Sequence, residues 1–111
     1  MIKEAMLIGR NEYKILEGEF VIGRAKNDSS SNIKINEHGN IFISSNHCKI
    51  YNDGEKLEII DVGSRNGTYV NEEKIMPGER VILKNQDKLK LSGACELEVK
   101  IIEEENGRTK I

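Results

Sequence analysis

Residues 95–101 read Cys-Glu-Leu-Glu-Val-Lys-Ile, with Cys95, Leu97, Val99 and Ile101 apolar and Glu96, Glu98 and Lys100 charged. Successive side chains of a strand point to opposite faces, whereas a helix returns to one side every third or fourth residue. The segment therefore predicts a β-strand with one face in a core and the other in water. Working back along the chain, Lys88 to Leu91, His47 to Tyr51 and Asn32 to Ile35 carry shorter versions of the same alternation. The runs Phe20-Val21-Ile22, Ile59-Ile60 and Val81-Ile82-Leu83 are short and rich in β-branched residues, as expected of strands covered more completely.

Turn chemistry falls between these runs: Glu17-Gly18, His38-Gly39-Asn40, Asn52-Asp53-Gly54, Asn66-Gly67, Met76-Pro77-Gly78 and Ser92-Gly93. Glycine and asparagine supply positive φ, and proline fixes φ near −65°. About ten short strands separated by turns, with no sustained helical period, predict an all-β antiparallel sandwich. No internal repeat or interdomain linker interrupts it. Residues 1–102 are read as one domain and the charged residues 103–111 as a fraying tail, while the polar stretch Lys26 to Asn32 is read as a flexible loop.

Composition narrows the function. A net charge of −2, a pI near 5.8, no Trp and 5% aromatic residues provide neither a broad basic surface nor stacking platforms, so nucleic acid is not the expected partner. An anionic ligand cannot be drawn in by the overall field either, and local cations must hold it. No apolar stretch approaches the ~18 residues that span a bilayer, and the opening Met-Ile-Lys-Glu-Ala-Met-Leu-Ile lacks a long uncharged core, so a cytoplasmic location without membrane insertion is expected. In that setting Cys48 and Cys95 read as free thiols on strands.

Several apparent motifs fail on context. Gly18-Glu-Phe-Val-Ile-Gly23-Arg24-Ala25 mimics a phosphate loop but lacks its lysine and hydroxyl, and an apolar strand occupies its middle. Gly63-Ser64-Arg65-Asn66-Gly67 sets the serine one position too early for a nucleophile elbow. His47-Cys48 lacks the paired spacing of a zinc site, with only His38 and Cys95 as distant partners. Asn66-Gly67-Thr68 and Asn27-Asp28-Ser29 match the glycosylation pattern, which matters only in a secreted chain. No nucleophile, base and orienting group can be assembled, so an enzyme is not expected; neither are a metal and a cofactor.

What remains is an ordered set: Phe20-Val21-Ile22-Gly23-Arg24, then Ile43-Ser44-Ser45-Asn46-His47-Cys48-Lys49-Ile50, then Asp61-Val62-Gly63-Ser64-Arg65-Asn66-Gly67-Thr68-Tyr69-Val70-Asn71. Together these resemble the forkhead-associated (FHA) domain family over about Glu19 to Ile101. The N-terminal runs Ala5 to Ile8 and Tyr13 to Leu16 fit the family's opening strands. The resemblance implies a β-sandwich of about eleven strands whose loops at one end bind a phosphothreonine peptide in extended form. It implies that Arg24 pairs with the phosphate, for which guanidinium offers a planar, permanently charged fork. Ser44 would donate its hydroxyl to the same phosphate, and Asn66 would use its amide to hold the peptide main chain. Gly23, His47, Gly67, Thr68 and Asn71 would shape the loops without touching ligand.

Two departures from the family pattern stand out. Ser45 occupies a position where many members carry Arg or Asn, and Arg65, before Asn-Gly-Thr, is placed to replace that contact. The segment between Arg24 and Ser44 is several residues longer than usual, with Ser29-Ser30-Ser31 and His38-Gly39-Asn40 as the extra material, so specificity beyond the phosphothreonine is not transferable. The expected function is a phosphothreonine-dependent protein-binding module whose partner is a substrate of a serine/threonine kinase. The alternative is a phosphate-independent scaffold on the same fold.

Overall fold

In the computed structural model, residues 1–25 and 31–104 are described. Their strands are β1 (Ile2–Ile8), β2 (Glu12–Lys14), β3 (Gly18–Arg24), β4 (Ile33–Ile35), β5 (Cys48–Asn52), β6 (Leu57–Asp61), β7 (Thr68–Val70), β8 (Glu73–Lys74), β9 (Arg80–Leu83), β10 (Lys88–Leu91) and β11 (Cys95–Glu103). A 3₁₀ turn at Asn40–Phe42 separates β4 from β5. The strands form a six-stranded sheet in the order β2-β1-β11-β10-β7-β8 and a five-stranded sheet in the order β4-β3-β5-β6-β9.

The alternation read in the sequence is the burial pattern itself. Along β11, Cys95, Leu97 and Val99 are buried between exposed or half-buried charged neighbours, and in β5 Cys48 and Ile50 point inward while Lys49 and Tyr51 are half-exposed. Leu7, Ile22, Ile50, Leu57, Ile59, Leu89, Leu91 and Leu97 are all fully buried and form one core between the sheets. Both cysteines are free and buried, so burial pushes their thiols up, that of Cys95 to about 11, with the Glu37 charge adding to it.

Three details differ from the sequence reading. β3 and β4 pair in parallel, Ile22 opposite Ile33 and Arg24 opposite Ile35, so the otherwise antiparallel sandwich has one parallel edge. A three-residue alternation looks the same in either direction, and the pairing is instead pinned by Asn32, whose N–H donates to Val21 O (2.9 Å) while its Oδ1 accepts the Val21 N–H (2.9 Å). β11 runs through Glu103, one residue into the expected tail, and Glu104 N donates to Met1 O at 2.9 Å. β8 has only two exposed residues, Glu73 and Lys74, which carry no apolar pattern to read. Most of the expected flexible loop (26–30), with the glycosylation pattern at Asn27, and the tail from residue 105 lie outside the described residues. No helix among the described residues is long and apolar enough to cross a membrane.

Candidate functional site

Three chain segments meet at one end of the sandwich. β3 delivers Arg24 at its last residue, the approach to β5 carries Ser44 to His47, and the crossing from β6 in one sheet to β7 in the other carries Arg65 and Asn66. Arg24, Ile41, Phe42, Ile43, Ser44, Ser45, Arg65 and Asn66 line a shallow cleft of about 280 Å³. All five residues expected to face a ligand, Arg24, Ser44, Ser45, Arg65 and Asn66, are therefore brought together.

The cleft is tied together by hydrogen bonds. Arg24 N donates to Ser44 O (3.0 Å), and one arm of its guanidinium, Nη1, donates to Ile41 O (3.0 Å). Asn66 Nδ2 donates to Phe42 O at 2.9 Å. Ser44 Oγ accepts the Arg65 backbone N–H at 3.0 Å, so the hydroxyl uses a lone pair there and keeps its proton for another acceptor. Among the described residues, no carboxylate lies within ion-pair distance of Arg24 or Arg65. Two guanidinium groups, without carboxylate partners among the described residues, thus stand next to a hydroxyl on a chain whose net charge is negative.

Behind this surface stand the residues expected to shape it. Gly23 admits no side chain, because a Cβ there would lie 1.7 Å from Ser45 O. His47, fully buried, accepts the Ser44 N–H on Nδ1 (3.1 Å) and donates from Nε2 to Gly67 O (2.8 Å), which requires the neutral ring protonated on Nε2. Burial pulls its pKa below the ordinary value, with the Gly67 carbonyl and the Asp61 charge opposing. Gly67, at φ 89°, also accepts Ser92 N at 2.8 Å, which joins the loop to the strand pair β10–β11. Thr68 is fully buried and donates to Asp61 Oδ1 at 2.7 Å.

Asn71 is the exception. It shapes a turn at the far end of β7, away from the cleft: its Nδ2 donates to Asp87 Oδ1, its Oδ1 accepts Lys88 N, and φ is positive at both Asn71 and Glu72. Positive φ at both central residues is the type I′ pattern of a two-residue hairpin, here between β7 and β8.

Two supports were not assigned a role from the sequence. Asp61, 3% exposed, accepts Gly63 N (2.9 Å) and Ser64 N (3.1 Å) on Oδ2 and the Ser64 and Thr68 hydroxyls on Oδ1; Ser64 Oγ in turn accepts Gly67 N at 3.0 Å. Burial raises its pKa, but the Ser64, Thr68 and Gly63 donors outweigh that and hold the carboxyl below its usual range. The sequence cue was Asp two positions before Gly, an Asx-turn signal. Glu37 anchors the other side: its carboxylate accepts Arg10 N (2.8 Å), Asn11 N (2.9 Å) and the Tyr13 hydroxyl (2.7 Å), while its carbonyl accepts Asn40 N at 3.1 Å to start the 3₁₀ turn. The segment around Glu37 is thus fastened to the β1–β2 turn, and just beyond it the chain presents the Ile41 and Phe42 carbonyls that hold Arg24 and Asn66.

A two-sheet sandwich thus gathers two arginines and a serine on the loops at one end. The FHA domain family model matches residues 20–92, and the chain belongs to that family. Among solved structures, an FHA domain studied for its phosphothreonine-dependent interactions superposes with a TM-score of 0.75 at 23% identity, covering 91% of this chain and 99% of that one. The FHA domain of MEK1, in complex with a HOP1 phosphothreonine peptide, superposes with a TM-score of 0.70 at 25% identity, covering 89% of this chain and 97% of that one. The oxoglutarate dehydrogenase inhibitor of Corynebacterium jeikeium is 37% identical over 51 residues, 46% of this chain and 33% of that protein, so the matched stretch spans about a third of its length.

Proposed function

We propose that the cleft binds a phosphothreonine-bearing segment of a partner protein, and that the chain is a phosphorylation-dependent docking module of the cytoplasm. The observation that carries this is the convergence of the Arg24 and Arg65 guanidinium groups, without carboxylate partners among the described residues, on a cleft shared with Ser44 and Asn66. The phosphate brings about −1.5 to −2 charges, and Arg24, Arg65 and Ser44 offer it charge-assisted donors. Asn66, held by Phe42 O through Nδ2, presents its remaining amide oxygen to the peptide main chain. Ser45 lines the cleft as a neutral side chain, and Arg65 supplies the second charge. The MEK1 domain, which is similar over most of the chain, was solved with a phosphothreonine peptide, and this supports the same reading here. The partner is the substrate of a serine/threonine kinase.

Three such bonds at about 1.5 to 3 kcal/mol each, less the cost of ordering the peptide, give roughly micromolar affinity. Titration calorimetry with a phosphothreonine peptide library, phosphoserine and unmodified controls, and an Arg24→Ala variant tests this. Phosphate-dependent binding that drops at least ~tenfold without Arg24 is expected. Binding indifferent to the phosphate or to Arg24 overturns the proposal in favour of a phosphate-independent scaffold.

A further inference from the structure

Asn66 and Gly67 form an Asn-Gly pair at the cleft; a second such pair, Asn106-Gly107, lies outside the described residues. Asparagine before glycine is the pairing most open to spontaneous deamidation, because glycine has no Cβ to keep its own nitrogen away from the neighbouring side-chain amide. The fold calls for both residues. Gly67 takes φ 89°, and a Cβ there would lie 3.1 Å from Lys74 Cε and 3.2 Å from Tyr69 Cε1. The Asn66 amide ties the loop to Phe42 O at 2.9 Å. Both reacting groups are engaged in the folded chain. The Gly67 N–H donates to Ser64 Oγ at 3.0 Å, and Gly67 O accepts His47 Nε2 and Ser92 N, each at 2.8 Å. Asn66 is exposed but Gly67 is buried, so the amide meets water while the nitrogen that would attack it is fixed from both sides.

Resting on the phosphothreonine reading above, we infer that Asn66-Gly67 is a deamidation site that the fold holds dormant and whose conversion closes the cleft to phosphate. The Gly67 nitrogen, once its proton passes to a solvent base, bonds to Asn66 Cγ; the Cγ–Nδ2 bond breaks and ammonia leaves. The succinimide then takes up a water, which breaks one of its carbonyl–nitrogen bonds and leaves aspartate or isoaspartate. Nothing is oxidised or reduced. The first step needs the Gly67 N–H free of Ser64 and the Asn66 amide free of Phe42, so opening of the β6–β7 loop sets its rate. The product places a carboxylate in the cleft wall beside Arg24 and Arg65, where it pairs with guanidinium and repels phosphate. It also removes the Nδ2 donor from Phe42 O, and isoaspartate lengthens the main chain by a methylene.

The test follows the full chain in mildly alkaline buffer, native and in denaturing urea, by peptide-mapping mass spectrometry at Asn66. Asn106 in the same digest corrects for the effect of urea on the chemistry. Relative to Asn106, Asn66 should convert at least about tenfold more slowly in the native protein than in urea. Ser64→Ala, checked as folded by circular dichroism, should raise the native Asn66 rate, and Ser64→Thr, which keeps an acceptor oxygen, should raise it less. In wild type below the unfolding transition, Asn66 conversion and hydrogen exchange of the Gly67 amide should quicken together as urea is added, a comparison that needs no variant. Asn66→Asp should bind a phosphothreonine peptide at least about tenfold more weakly than wild type, and more weakly than Asn66→Ala, which loses the donor without gaining the charge. Native conversion as fast as in urea, Gly67 exchange that does not track it, or an unchanged rate in folded Ser64→Ala overturns the dormant site. Asn66→Asp binding as well as Asn66→Ala overturns the closure by charge. Absence of phosphate-dependent binding in wild type overturns the docking reading and the closure with it, while the conversion rates still decide the dormant site.

Discussion

Replacing Gly23 by alanine makes the packing of the cleft measurable. The new methyl would sit 1.7 Å from Ser45 O and 2.5 Å from Ser45 C, and real Cβ contacts stay beyond 3.0 Å, so the Ser45 peptide must retreat by about 1.3 Å. The atom in the way is backbone, which cannot swing aside as a side chain would. On either side of it, Arg24 N donates to Ser44 O and His47 N donates to Ile22 O, at 3.0 and 2.8 Å, and both bonds lengthen if the segment moves. Forced overpacking costs about 1–3 kcal/mol and each of the two weakened backbone bonds about 0.5–1.5 kcal/mol, which together come to roughly 2–6 kcal/mol. At about 4 °C per kcal/mol for a domain of this size, the thermal unfolding midpoint followed by circular dichroism should fall by roughly 8–24 °C. Gly93→Ala is the internal control, because its Cβ would meet nothing within 4 Å and its φ is not positive. A Gly23→Ala Tm within about 3 °C of wild type would refute the claim that Gly23 holds the Ser44–His47 segment against β3.

Other consequences are open to direct measurement. Because burial holds the His47 pKa below its ordinary value of 6.5, the unfolded chain takes up the proton first. Its stability contribution is complete above about pH 6.5 and lost as pH falls below it, so the urea midpoint should drop between pH 7.5 and 5.5 in wild type and less in His47→Gln. Asp61→Ala strands four donors, three in the β6–β7 loop and the hydroxyl of buried Thr68 at the start of β7. Denaturant unfolding should register a loss of about 3 kcal/mol or more. Arg65→Gln removes an exposed charge at the cleft, and calorimetry in 50 and 300 mM salt should show affinity reduced about three- to tenfold at low salt with a shallower salt dependence.

The strands were legible because burial imposes period two wherever one face meets the core. Lys88–Leu91 matches β10 at both ends, and Cys95–Ile101 falls wholly inside β11. The five ligand-facing candidates converge because their motifs sit at strand ends and loops that the sandwich folds to one side. What was not legible depends on contacts distant in sequence. Glu37 reaches Arg10, Asn11 and Tyr13 across more than twenty residues, and nothing local distinguishes it from a solvated glutamate. Asn71 belongs to the same sequence motif as Asn66, yet β7 runs between them and leaves it at the other end of the strand. Ile41 and Phe42 read as ordinary apolar residues, and only the folded chain sets them beside Arg24.

The central claim is that a phosphothreonine is read at the end of the sandwich where Arg24, Ser44, Arg65 and Asn66 meet, and amide and arginine side-chain NMR during titration with a phosphothreonine peptide tests it most directly. The account predicts that the largest shifts fall on the Arg24 guanidinium and on the amides of Ser44, Ser45, Arg65 and Asn66, and that the unphosphorylated peptide leaves them in place. Shifts centred elsewhere, for example on Lys56, Leu57 and Ile82, or the same shifts from the unphosphorylated peptide, would contradict it.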